Sequence, residues 1–274
     1  MSAPGLSDLL WEADGTVRSA RYGDIYASRT GAWAQAQAVF VQGAGLPARW
    51  QGRPDWTVLE AGFGLGTNFL ATVAAWRADP HRPRRLHHVA IEAHPVPPHD
   101  WQRVVEAAPR GEGPWDRADL QALGRLYEQI ADDTASPPRH EAHTRHFELS
   151  LEAGAVRLQL VVGDIRAALR RLALRADTLY LDGFAPERNP DMWQADVMRA
   201  LGRLSRRGTR VATWCVARGV RDALSQAGFV VHRVDGLPPK RHRLEGEYAP
   251  SWQPRSRGSI PNARSEPGPH AAVV

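Results

Sequence analysis

The sequence predicts an α/β domain built on a mostly parallel, doubly wound sheet, and three observations predict it. From residue 56 onward, short apolar runs alternate with helical stretches, the order that sets parallel strands between two helix layers. The first run closes on glycines at alternate positions, Gly62, Gly64 and Gly66. Later runs end on Glu92, Asp164 and Asp182, at the carboxyl ends of strands where such sheets bind ligands.

Residues 1–50 read as an N-terminal extension packed on the core, with an Asp24-Ile-Tyr-Ala-Ser28 segment and a helical run Trp33–Phe40. Residues 51–250 read as one domain. Trp56–Gly62 is the first buried strand, and Thr67–Arg77 is a helix rich in Ala and Leu that stops before Pro80. Leu86–Glu92 is the second strand. Residues 93–140 read as an insertion of short helices, one capped by Asp100 and one over Asp116–Ile130, followed by a polar loop at Asp132–Arg139. His146–Leu151 and Val156–Val162 form a hairpin across Glu152–Ala155. A helix over Ile165–Leu174, a strand Thr178–Leu181, a helix Asp191–Leu204, a strand Thr209–Trp214 and a helix Val216–Ala227 follow. Phe229–Val234 and Leu244–Tyr248 are the last strands. Residues 251–274, dominated by Pro, Ser, Gly and Arg, are expected to be a disordered tail.

Composition excludes several classes. The chain has 274 residues, 43% hydrophobic and 24% charged, so it is not a wholly disordered chain. No stretch approaches the roughly 20 apolar residues of a membrane helix, and no secretory signal is visible, so no membrane partner is expected. Cys215 is the single cysteine, which excludes an internal disulfide framework and a Cys-rich zinc site and suits a cytoplasmic location. His140, His143 and His146 lack a supporting carboxylate or Cys pattern, and no metal site is expected. Thirty-five basic residues oppose 30 acidic ones, and all but Lys240 are arginine, whose permanent fork suits phosphate. That balance fits a polyanionic partner and fits Arg-rich codon usage equally well.

Glu60-Ala-Gly62-Phe63-Gly64-Leu-Gly66-Thr-Asn68 closes a strand and opens a helix, so the backbone can turn tightly and present amides to a ligand. A dinucleotide fingerprint would carry its third glycine where this chain has Thr67. Glu92, an acceptor-only carboxylate, suits two ribose hydroxyls. Asp164 suits an adenine amino group or a helix N-cap, and the two roles are compatible. Asp182-Gly183-Phe184-Ala-Pro186 sets a carboxylate, a hinge, a ring and a stiff residue at a strand end.

The Glu60–Gly66 spacing resembles motif I of the class I (Rossmann-like) S-adenosylmethionine-dependent methyltransferases. The layout of Asp182–Pro186 is similar to the Asp/Asn-Pro-Pro-Tyr loop of amino-group methyltransferases. Taken in order, the Asp24–Ser28 segment, the Glu60–Phe69 loop, Gly163-Asp164-Ile165 and Leu181–Trp193 resemble the methyltransferase domain of the bifunctional tRNA wobble-uridine enzymes of the MnmC type. The resemblance runs from about residue 10 to residue 248 and leaves out that family's FAD-dependent oxidase domain. It implies a class I methyltransferase fold with S-adenosyl-L-methionine as cofactor. Glu60, Gly62, Phe63, Gly64, Gly66, Asn68, Glu92, Asp164, Ile165, Asp182 and Gly183 would hold that cofactor. The implied reaction is methylation of 5-aminomethyl-(2-thio)uridine in the tRNA anticodon loop, with a separate FAD-dependent oxidase as possible source of the precursor. Where the family often reads Gly-Thr-Gly-Leu-Asn, this chain has Gly64-Leu-Gly-Thr-Asn68, and Leu237-Pro-Pro precedes its Lys240-Arg241 pair.

Such a reaction needs a neutral amine aligned with the methyl donor. Asp182 is the candidate catalytic acceptor, with Phe184 packing on cofactor or base and Pro186 stiffening the loop. Tyr26 is a candidate substrate contact, or a packing residue of the N-terminal segment. Lys240 and Arg241, with Arg206, Arg207, Arg218, Arg221 and Arg243, are candidate phosphate contacts. The alternatives are a nicotinamide-dependent oxidoreductase on the same sheet, a non-catalytic RNA-binding protein with a vestigial pocket, and the same chemistry on another amine.

Overall fold

Apolar strands with both faces covered set the centre of the molecule. The computed structural model describes residues 9–13, 16–26, 31–107, 116–134 and 144–251. An antiparallel pair, β1 (Leu9–Trp11) and β2 (Val17–Ser19), leads to α1 (Ala32–Gln35), which runs on as a π-helical stretch, Ala36–Gln42. Then come β3 (Asp55–Ala61), α2 (Thr67–Ala78), β4 (Arg85–Glu92), α3 (Pro98–Ala107), α4 (Arg117–Thr134), β5 (Arg145–Leu151) and β6 (Val156–Val162). The chain closes with α5 (Ile165–Arg171), β7 (Ala176–Leu181), α6 (Ala195–Leu204), β8 (Ser205–Thr213), α7 (Arg218–Gln226), β9 (Phe229–Asp235) and β10 (His242–Tyr248).

Eight strands make the main sheet in the order β5-β6-β4-β3-β7-β8-β10-β9. The run β6-β4-β3-β7-β8 is parallel, and β5, β10 and β9 add antiparallel edges. From β3 the chain goes to β4 and β6 on one side, then returns to β7 on the other. The order of strands therefore reverses beside β3, and the carboxyl ends of β3 and β7 take the position at which such sheets open a binding crevice. Alternation along each strand feeds two cores. Val58, Leu86, Ala90 and Tyr180 pack with Phe40, Trp50 and Phe69 on one face. Leu59, Val89, Ile91 and Leu179 pack with Leu169, Leu201 and Leu224 on the other. Each fully buried large apolar side chain contributes about 1.5–3 kcal/mol.

The α/β expectation and nearly all its elements hold, with differences at the ends of helices. Asp100 does not cap α3, which starts at Pro98; its Oδ2 instead accepts the backbone N–H of Leu9 at 2.9 Å and ties β1 to the insertion. Asp116 does cap α4, its Oδ1 accepting the N–H groups of Ala118 and Asp119. That helix continues through Thr134, past the start of the expected loop. The expected helix Asp191–Leu204 is two pieces, a 3-10 turn Pro190–Trp193 and α6, because Gln194 between them is extended. Likewise α5 ends at Arg171, where Leu172 turns extended, and α7 begins at Arg218. His140, His143 and the tail expected beyond Ser251 lie outside the described residues. His146 lies on β5 beside Thr144 and Gln159. Among the described residues no group of three His, Cys, Asp or Glu side chains could hold a metal, and no helix is long and apolar enough to cross a membrane.

Candidate active site

The glycine loop fills the crevice end of β3. Gly62 has φ +87°, and a Cβ there would fall on the Asp182 carbonyl, 2.9 Å from its carbon, so only glycine lets β3 and β7 end this close together. Gly66 is the left-handed N-cap of α2, turning the chain so that the helix starts beneath the loop. Glu92, ending β4, holds the loop in shape. One of its oxygens accepts the N–H groups of Phe63 at 3.0 Å and Gly64 at 2.9 Å, and the other accepts that of His94 at 2.9 Å. Burial raises the Glu92 carboxyl above the usual range, while these amides pull it back down. From the insertion, the Tyr127 hydroxyl donates to the Gly64 carbonyl at 2.8 Å.

Asp182, at the end of β7, stands against this loop. The Asn68 side-chain amide donates to its Oδ2 at 2.7 Å, and the Trp214 indole N–H donates to its Oδ1 at 3.0 Å. Burial first, then the neighbouring Glu60 charge, pushes the Asp182 carboxyl up to about 7, against the pull of Asn68, Trp214 and Lys240. Lys240 lies over the Trp214 ring, and burial lowers its ammonium to about 8. Glu60 stands behind the loop at 0% exposure, its Oε1 accepting from Asn68 at 2.7 Å and its Oε2 paired with His88 Nε2 at 2.8 Å.

A roof of aromatic side chains from the N-terminal segment covers the Asp182–Pro186 loop. Phe184 packs against Tyr22, with ring centroids 4.8 Å apart, and edge-to-face against Tyr26 at 5.2 Å. The Tyr26 ring also lies over Gly64. Asp24 Oδ2 accepts the Ala185 N–H at 3.0 Å, fastening roof to loop. The Trp193 indole donates to the Phe184 carbonyl, and a Cβ on Gly183 would run into the Met192 sulfur. Pro186 stands in the turn that the Ala185 carbonyl closes by accepting from Arg188 and Asn189.

Most residues singled out from the sequence thus converge: Glu60, the three glycines, Phe63, Asn68, Glu92, Asp182, Gly183, Phe184 and Tyr26. Asp164 is exposed and caps α5 through the Ala167 N–H at 2.9 Å, and Ile165 opens that helix. Arg241 is exposed. Several expected phosphate contacts are engaged within the chain. Arg206 pairs with Asp177, Arg207 donates to the Pro250 carbonyl, Arg218 pairs with Asp222 and Arg243 with Glu245. Sequence reasoning did not single out His88, Tyr22, Trp214 or Tyr127 as site residues. His88 carried a signal, as one of two adjacent histidines, His87 and His88, within the otherwise apolar Leu86–Ile91 run.

A family model described as S-adenosyl-L-methionine-dependent methyltransferase matches residues 129–249. The chain is 48% identical over 259 residues to the tRNA 5-methylaminomethyl-2-thiouridine biosynthesis bifunctional protein MnmC of Delftia acidovorans, covering 94% of this chain and 37% of that protein. It is 46% identical over 266 residues to the MnmC of Paracidovorax citrulli, covering 96% and 39%. The chain thus spans under two-fifths of the length of the curated relatives it matches. The crystal structure of MNMC2 from Aquifex aeolicus matches in fold, with a TM-score of 0.62 at 20% identity over 90% of this chain and 73% of that one.

Proposed function

We propose that this chain, a member of the S-adenosylmethionine-dependent methyltransferases, methylates the primary amine of 5-aminomethyl-(2-thio)uridine at the wobble position of tRNA. The observation that carries the reading is the Asp182 carboxylate, fixed by Asn68 and Trp214 beside the glycine loop. The nicotinamide and non-catalytic readings are not favoured by the family match.

The residues present fit the cofactor. Gly62, Gly64 and Gly66 all take positive φ, which bends the backbone into a cradle at the carboxyl end of β3, and α2 begins at its edge. Gly62, Phe63, Gly64, Gly66 and Asn68 would line it, Glu92 would meet the ribose, and Asp164 with Ile165 the adenine. The Gly183 backbone would meet it beside Asp182, and Glu60 would support Asn68 from behind. When bound, S-adenosylmethionine supplies an electrophilic methyl group on a cationic sulfur.

The chain's own groups prepare the amine. An alkylammonium has a pKa of about 10 in water, so the substrate must shed a proton before its nitrogen has a free lone pair. Asp182 accepts a hydrogen bond from that nitrogen, aims it, and takes up the proton. A carboxyl at about 7 is a better acceptor than an ordinary aspartate and is still largely ionised just above neutrality. Phe184 and Tyr26 offer ring faces to an unstacked base, and Pro186 keeps their loop stiff. Lys240 and Arg241 lie on the loop between β9 and β10, where anticodon phosphates would approach. A cytoplasmic FAD-dependent oxidase would supply the aminomethyl precursor.

Transfer of labelled methyl from S-adenosylmethionine to tRNA carrying 5-aminomethyl-2-thiouridine tests the reading, with nucleoside mass analysis of the product. Label should appear on the wobble nucleoside and fall at least 100-fold in Asp182→Ala, within the range for loss of an acid–base group. No transfer by the wild-type protein would reject the proposed reaction.

A further inference from the structure

Four side chains from four elements make one continuous line, buried at its first three members and half-buried at the last: His88 on β4, Glu60 on β3, Asn68 on α2 and Asp182 after β7. The links are 2.8 Å from His88 Nε2 to Glu60 Oε2, 2.7 Å from Asn68 Nδ2 to Glu60 Oε1, and 2.7 Å from Asn68 Nδ2 to Asp182 Oδ2. His88 and Glu60 are both 0% exposed, and Asn68 is 4% exposed. Resting on the amine-methylation reading above, we propose that His88 is a positioning residue for that reaction, acting through Glu60 and Asn68 on the Asp182 carboxylate.

Donor and acceptor counting supports the assignment. Asn68 has two amide hydrogens, and both are spent on carboxylate oxygens, one on each acid. Its amide can therefore take only one orientation while Glu60 presents an acceptor. Glu60 has two oxygens, one for Asn68 and one for His88. A buried carboxylate with an unoccupied face costs more than one held on both sides. Among the described residues His88 Nδ1 has no hydrogen-bond partner. An unmet lone pair is cheaper to bury than an unmet N–H, so the proton sits on Nε2 and is donated to Glu60. The Phe69 and Tyr180 rings pack edge-on against the imidazole, at 5.3 and 6.1 Å, and hold its plane. The line thus runs one way: the imidazole donates to Glu60, Glu60 fixes the amide, and the amide fixes Asp182.

The same line carries charge. The groups that bear on Asp182 are the Glu60 carboxylate from β3, the Asn68 and Trp214 N–H donors, and the Lys240 ammonium, which itself faces Asp24 and Cys215. Glu60 is the only negative charge in that set that acts directly on Asp182, and it raises the proton affinity of the carboxylate. Removing the charge at Glu60 while keeping its shape should make Asp182 a weaker proton acceptor.

The experiment measures kcat and KM against pH for wild type, Glu60→Gln, His88→Leu and His88→Gln, with S-adenosylhomocysteine affinity by calorimetry. His88→Leu removes the N–H that Glu60 accepts and should lower kcat about tenfold with KM changed less than about twofold, whereas His88→Gln keeps an N–H that can reach Glu60 and should restore kcat to within about threefold; full kcat in folded His88→Leu overturns the proposal. Glu60→Gln should move the acid limb of kcat down by about one pH unit. It should lower kcat about tenfold near neutrality, with KM and cofactor-product affinity changed less than about twofold. An unmoved midpoint in folded Glu60→Gln overturns the proposal. If that variant does not fold, carboxyl carbon NMR titration of the wild-type protein decides. Asp182 should titrate near neutrality, and titration in the ordinary aspartate range overturns the proposal. Absence of methyl transfer by the wild type would reject the proposed reaction itself, an outcome distinct from either result above.

Discussion

Replacing Gly62 with alanine should damage both the stability and the cofactor affinity of this protein, and the structure separates the two contributions. Gly62 and Gly52 both have positive φ, +87° and +73°. At Gly52 an added Cβ meets nothing within 4 Å, so Gly52→Ala carries backbone strain alone. That strain is about 1 kcal/mol. At Gly62 the same strain is joined by collision with the Asp182 carbonyl, backbone that cannot rotate away. The Asp182 N–H is bonded to the Ala61 carbonyl and the Gly62 N–H to that of Ile91, so the strand ends must part to make room. Overpacking of this kind adds about 2 kcal/mol. For a domain of this size, about 3 °C of Tm accompanies each kcal/mol. Gly52→Ala should therefore lose about 3 °C and Gly62→Ala about 9 °C by calorimetry. Titration with S-adenosylhomocysteine should give unchanged affinity for the first and at least about tenfold weaker binding for the second, a cost of ~1.4 kcal/mol. Equal losses of Tm, or full affinity in Gly62→Ala, would refute the claim that Gly62 is there to let β3 and β7 close on each other.

Three other outcomes follow from named contacts. Because Asp182 must be ionised to accept a proton and its carboxyl stands at about 7, the methylation rate should rise with pH through neutrality. Lys240 favours the ionised form, so Lys240→Met should move that limb to higher pH, the direction opposite to Glu60→Gln; stopped-time assays from about two units below to about two units above neutrality read both. Asp24→Ala removes the acceptor for the Ala185 N–H and should cost about 1 kcal/mol of stability and raise KM for tRNA, checked by melting and steady-state kinetics. Arg77→Ala breaks a two-pronged pair with the buried Asp119, at 2.6 and 2.9 Å, that pins α4 to α2; it should cost about 2 kcal/mol in urea unfolding.

The parallel centre of the sheet was legible because its strands are apolar on both sides and end in turn residues, as Trp56–Gly62 does. The glycine loop, Glu92 and Asp182 were legible because their signal is local: residue type, spacing, and position at the end of a strand. His88 and Trp214 were not, since each acts on an acid that is distant in sequence and at or near the end of a neighbouring strand, Glu60 on β3 and Asp182 after β7. Parallel pairing of β3 with β4 in a particular register is what sets His88 near Glu60. Nothing in the spacing of 28 residues announces it. Pairing of β10 between β8 and β9 was hidden for the same reason. The π-helical stretch Ala36–Gln42 read as ordinary helix, because one wider turn leaves the apolar pattern nearly unchanged. The roof was half legible: Tyr26 was a candidate, but Tyr22 carries no spacing signal and reaches Phe184 through the turn after β2.

Glu92 gathers three main-chain amides of the cradle, from Phe63, Gly64 and His94, by protein contacts alone. The conformational freedom of the turn is therefore surrendered during folding, and a visiting molecule finds its berth already shaped. Association should then resemble a key entering a cut lock, with little ordering left to oppose it. A carboxylate usually regarded as a grip on the visitor would act first as the keystone of an arch that stands before anyone passes beneath it.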